Sequence, residues 1–199
     1  MPPYDIAAMK ALLHEAQVEA LQNIRNQFSQ FLQELSDGGM ATEKLSRSRL
    51  VDTCTLNTYE DLLSVYGSPG LYIICTSFPM PGNECTFRLR GGLQAIYRGE
   101  CATVMRRLES HLFNEQYRIG YENRKAEKLD SGGKFSEPYY GACIKIEPSV
   151  SGINIDQGEY ANHSWVVIVL KMFGSSSALR KQAELAFDDS FGKPAASRE

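Results

Sequence analysis

An α+β fold, with a small and mainly antiparallel sheet flanked by helices and a helical extension at the N-terminus, is what this chain predicts. Three observations lead there. Apolar residues recur at steps of three and four through the first 35 positions. The middle holds strand-length apolar or alternating runs separated by Gly-rich breaks. The last fifth returns to a helical pattern behind a run of serines.

The 199 residues, 43% hydrophobic and 23% charged, are enough to bury a core without disulfide staples. A net charge of −3 gives no general attraction to polyphosphate, so basic character has to be local. From Thr86 to Lys128 it is: nine basic residues stand against five acidic ones. Five cysteines, odd in number and without C-x-x-C spacing, read as reduced core thiols rather than a zinc site. No apolar segment has the length of a membrane span, and the first ten residues lack a basic stretch leading into an apolar run, so no membrane association and a cytoplasmic setting are expected.

In chain order, Leu21, Ile24, Phe28, Phe31 and Leu35 form one apolar seam of a first helix running from about Tyr4. Asp37-Gly38-Gly39 stops it. The seam must be covered by the body of the chain or by a second copy, which would make a homodimer through the N-terminal helix. Residues 41–53 are polar and basic, a connector or docking strand. Thr58 with Asp61 three positions on is a capping-box pattern for a short helix that Gly67-Ser68-Pro69-Gly70 ends. GLYIICTS then reads as a buried strand. Cys85, Phe87 and Leu89 alternate with Thr86, Arg88 and Arg90 before Gly91-Gly92 and LQAIYRG, which predicts a hairpin. A helix is expected from Thr103 to Phe113 with Val104, Leu108 and Leu112 inward, and residues 114–137 are expected to be an exposed loop. YYGACIKI and HSWVVIVLKM are the remaining strands, the latter apolar enough to be central. Ser175-Ser176-Ser177 offers an N-cap for a last helix carrying Ala178, Leu179, Leu185, Ala186, Phe187 and Phe191. The expected division is residues 1–65 as helical region and connector, and 66–199 as the main domain.

The most informative stretch is YRGECATVMRRLESHL. Tyr97 ends a strand, Gly99 permits the departure, and Arg107 and His111, four apart, share one face of the next helix. A guanidinium forks onto phosphate oxygens while a phenol or imidazole handles protons, a set suited to phosphodiester chemistry. Glu184 is the best candidate for an anionic metal ligand; one carboxylate with waters and substrate phosphate can hold Mg²⁺ (or Mn²⁺). Arg88, Arg90, Arg98 and Arg106 are candidate nucleic-acid contacts. Each residue also has a structural alternative: strand tyrosines fill cores, Arg107 and His111 fit a solvated helix face, and Glu184 can pair with Arg180 or Lys181.

These motifs resemble the GIY-YIG nuclease superfamily, over about residues 66–196. Gly70-Leu71-Tyr72 and Tyr97-Arg98-Gly99 stand as its two tyrosine strands, with Arg107 and His111 in register behind the second and Glu184 on a later helix running toward Pro194. The Arg-bearing excursion between the two tyrosine motifs is similar to that of the restriction-enzyme members. Arg98 takes the apolar middle position, and Ala195-Ala196-Ser197 stands where the family carries an asparagine. The resemblance implies a metal-dependent endonuclease acting on DNA as a dimer, with Tyr72 or Tyr97 activating water, His111 relaying the proton, Arg107 clamping the phosphate and Glu184 holding Mg²⁺ or Mn²⁺. A nuclease toxin with the same chemistry, and a catalytically inactive nucleic-acid-binding module of the same fold, are the alternatives.

Overall fold

The structure, a computed structural model, describes residues 5–37, 50–144, 146 and 152–197, apart from the side chains of 35–37. The elements are α1 (Ile6–Asp37), β1 (Val51–Leu56), α2 (Tyr59–Leu62), β2 (Gly70–Thr76), β3 (Gln94–Cys101), α3 (Val104–Leu112), α4 (Asn114–Asp130), β4 (Trp165–Lys171) and α5 (Ser177–Phe191), with one 3₁₀ turn at Gly158–Asn162. The four strands form one antiparallel sheet in the order β1-β4-β2-β3, so the α+β expectation and the central place of β4 are both met.

Alternation along the strands splits the core in two. Tyr72, Ile74, Val167 and Val169 face α3, whose Val104, Leu108 and Leu112 are fully buried. Leu71, Ile73, Val166, Ile168 and Leu170 face α1 and α5, meeting Leu32, Ala183 and Phe187. Each such side chain, fully buried, contributes about 1.5–3 kcal/mol. A bulge between Ile74 and Cys75 leaves Ile96 as an extra residue in β3, and Ile96 and Tyr97 both enter the first core. Bulges re-aim side chains in this way.

Several expectations change. The connector or docking strand expected over residues 41–53 runs into β1, which pairs along its length with β4, so the sheet crosses the division placed at residue 65; residues 41–49 lie outside the described ones. Residues 114–137 are not a loop, because α4 occupies 17 of them. Its polar, mostly exposed sequence shows no apolar seam, and it is held from outside: the backbone N–H of Asn114 donates to Ile153 O (3.1 Å) and that of Glu115 to Asn154 Oδ1 (2.9 Å). The described part of YYGACIKI joins no ladder. The Arg88/Arg90 arm makes a single bridge, Arg88 with Gln94, around positive-φ Gly91 and Gly92. Asp61 Oδ2 accepts from the N–H of Thr58 (2.9 Å) and of Asn57 (2.8 Å), as the capping-box pattern anticipates. Ser176 caps α5 by accepting from Leu179 N (3.2 Å).

The seam of α1 is covered by its own chain over the helix's second half, where Leu32, Phe28 and Phe31 pack on the second core and Arg25 pairs with Asp189 of α5. Residues 6–20 are exposed throughout. At the far edge of the sheet, the tail after α5 closes on β3: Ala196 N donates to Ile96 O (2.9 Å), and Ser197 Oγ accepts from Arg98 N (3.1 Å).

Candidate active site

Four of the five residues that the sequence and the family resemblance single out converge. Tyr72 comes from β2, Tyr97 from β3, and Arg107 and His111 from α3. Tyr72 Oη lies 3.0 Å from His111 Nε2. The Tyr72 and Tyr97 rings stack at 5.9 Å between centroids, and Tyr97 lies 4.8 Å from the His111 ring. Gly99 matters here for a reason other than chain departure: it pairs with Tyr72 across the ladder, and a Cβ there would stand 2.7 Å from Tyr72 Oη. Only glycine lets the phenol lie over β3.

The donor directions can be followed along the cluster. Cys143 N–H donates to His111 Nδ1 (3.2 Å), so a neutral ring carries its proton on Nε2 and donates it to Tyr72 Oη. Burial, then the neighbouring Tyr97, push the Tyr72 hydroxyl well above its ordinary range. Burial also raises Tyr97, but a hydrogen bond from Tyr72 and the charge of Arg107 oppose it. Tyr72 therefore keeps its proton and donates toward Tyr97, whose oxygen is the end of the chain.

Arg107 stands beside both phenols. Burial acts to lower its guanidinium, and Tyr72 and the Cys143 sulfur more than offset this, so the charge is held firmly. Its Nη1 donates to Gly141 O and its Nη2 to Cys143 Sγ, both at 2.8 Å. The segment Tyr140–Cys143 is thus a strap over the cluster, also fixed by Ser110 Oγ on Tyr140 O (2.8 Å) and by Thr103 Oγ1 on Tyr140 Oη (2.9 Å). Nothing in the sequence marks it, because most of its contacts with α3 use backbone groups some thirty residues further along the chain.

Glu184 does not join the four directly. Arg98, next to Tyr97 in β3, points to the other face and binds Glu184 Oε1 (2.6 Å) and Asp188 Oδ2 (2.5 Å). Lys181 Nζ holds Glu184 Oε2 (2.5 Å), the pairing anticipated as a structural alternative. Glu184 is close enough to Tyr97 to raise its hydroxyl. Arg98, placed by sequence among the nucleic-acid contacts, is instead buried in this ion-pair set at 6% exposure. Arg106 pairs with the buried Glu109 (2.8 Å), and Arg88 donates to the carbonyls of Cys85 and Phe87, while Arg90 is exposed. Asp188, one helical turn beyond Glu184, was missed, although its i,i+4 spacing on α5 marks it.

Among the described residues no group of three or more His, Cys, Asp or Glu side chains could hold a metal. The carboxylate that the sequence singles out for a metal is Glu184, and one carboxylate completed by waters and phosphate is the least that a hard divalent cation needs. Both Glu184 oxygens are already engaged, Oε1 by buried Arg98 and Oε2 by Lys181, and since Lys181 is 54% exposed it is Oε2 that could be given up to a cation.

Searches against protein-family models, curated proteins and solved structures returned no match.

Proposed function

We propose that this chain is a metal-dependent endonuclease that hydrolyses phosphodiester bonds in DNA, of the restriction type. The observation that carries the reading is the meeting of Tyr72, Tyr97 and His111, with Arg107 alongside, from three separate elements. Tyr97, at the end of the donor chain, takes the proton of the attacking water. Tyr72 and His111 orient it and stabilise the phenolate by donating toward it. Arg107 exchanges Gly141 O and Cys143 Sγ for two phosphate oxygens, a bidentate match that lysine does not make. Glu184, through Oε2, would hold the divalent cation, whose chemistry there would be stabilisation of negative charge that develops during cleavage.

The test is cleavage of plasmid DNA with Mg²⁺ or Mn²⁺. Wild type is expected to cut, and Tyr97→Phe and Arg107→Ala to lose about a hundredfold or more, the range general-base and charge-stabilising groups supply. Wild type that binds DNA and never cuts it overturns the reading in favour of a silent module of the same fold, which the engagement of Arg107 by the strap supports. Discrete fragments indicate restriction specificity, and a smear indicates a toxin.

A further inference from the structure

The exposed half of α1 carries a pattern its own chain does not use. Ile6, Met9, Leu13, Ala16, Ala20 and Ile24 follow one another at steps of three and four, so they share one face. Ile6 is 63% exposed, Met9 48% and Leu13 66%. The helix begins cleanly at this tip, where Asp5 Oδ1 accepts from the N–H of Ala7 (3.0 Å) and Ala8 (3.1 Å). The stripe runs without a break into an apolar cavity of about 340 Å³, where Ile24 is joined by Phe28, Phe31, Leu170, Met172 and Leu179.

We propose that this stripe and cavity form a two-fold interface in which α1 packs antiparallel against α1 of a second copy. The positions are self-complementary in that direction only. Turned end for end about the point between Leu13 and Ala16, Leu13 meets the second copy's Ala16, Met9 meets its Ala20, and Ile6 meets its Ile24. Leu13 and Met9 each face an alanine, the large-against-small arrangement that lets helices approach closely, and the Ile6–Ile24 contact closes each end of the pair. Ile6 and Ile24 are about 27 Å apart along the helix at 1.5 Å per residue. The tip of one copy therefore lands at the mouth of the other's cavity, and the same contact recurs on the second side, as two-fold symmetry requires. Parallel pairing would set Ala16 against Ala16 and leave both cavities empty. A lipid surface fits poorly, because between Asp5 and Ile24 the charged residues are Asp5, Lys10, Glu15 and Glu19, without the basic polar face of interfacial helices.

Sedimentation equilibrium at tens of micromolar, with two variants at exposed positions, decides it. Wild type is expected to be a dimer, and Leu13→Glu to dissociate at least about tenfold more readily, with its urea midpoint at dilute, monomeric concentration unchanged. Ala16→Leu separates the directions: it collides with Leu13 in the antiparallel pair and weakens it about tenfold, whereas it would tighten a parallel one. A monomeric wild type, a Leu13→Glu protein that stays dimeric, a tighter Ala16→Leu dimer, or a monomer that binds anionic phosphatidylserine vesicles through α1 each overturns the proposal.

Discussion

Arg98 holds two carboxylates of α5 on one guanidinium while its own backbone is tied to Ser197, so it anchors the last helix and the tail to the edge strand. Removing one partner of a buried pair leaves uncompensated charge, and Arg98→Ala is expected to cost about 3–5 kcal/mol in urea unfolding. Lys181→Ala removes the exposed member of a pair whose buried partner, Glu184, keeps Arg98, so its stability should move little. If Glu184 Oε2 receives the cation, the same variant should reach half-maximal cleavage at a several-fold lower Mg²⁺ concentration; an unchanged Mg²⁺ dependence would place the cation elsewhere. Tyr97 gives a pH signature. Its hydroxyl is raised above the ordinary value near 10, and the active form is deprotonated, so the rate should climb about tenfold per pH unit from pH 7 to 9. A plateau in that window would exclude Tyr97 as the base. At this scale the meeting of Tyr97, Arg107 and His111 was legible, because strand-to-helix spacing sets it, whereas Tyr72 was named through the family resemblance alone. The strap was not, since carbonyl and amide groups leave no mark on residue identity.

Among the elements, the missed helix is the instructive one. α4 has a single fully buried side chain, Tyr117, and an interior glycine, Gly120, so no periodic seam announces it. Its charges face solvent, and Arg124 reaches across to Glu137 in a two-point contact at 3.0 and 2.7 Å. That contact holds the Glu137 carboxyl below its ordinary range, as the N–H groups of Asn57 and Thr58 do for Asp61. Both folded values are depressed, so this stabilisation is complete above the unfolded carboxylate range near 4 and is lost as pH falls through the lower folded values. The urea midpoint should therefore decline below about pH 4, and Arg124→Ala should flatten part of that decline. The described part of YYGACIKI stays out of the sheet because its backbone groups are claimed by α3: Arg107 and Ser110 donate to Gly141 O and Tyr140 O, and Cys143 N–H donates to His111. β4 was recognisable because both of its faces are buried, which makes its apolar run continuous.

For the molecule as a whole, two cores on either side of one sheet tie the described residues from β1 to the tail into a single body, and the outer half of α1 stands clear of it. A paired α1 would bring two sites to one duplex. Leu13→Glu is then expected to nick plasmid at close to the wild-type rate while converting it to linear form at least about tenfold more slowly, because each strand must be met by a separate encounter. Equal nicking and linearisation by the variant would show that one copy handles both strands.

The short tail has a consequence for handling the protein. Its contacts at Ile96 and Arg98 occupy hydrogen-bonding groups that an outermost strand would otherwise present to any passing chain. Trimming behind Pro194 would uncap that strand, and the damage would surface as edge-to-edge stacking of intact molecules into insoluble ribbons, a colloidal failure in protein that still folds.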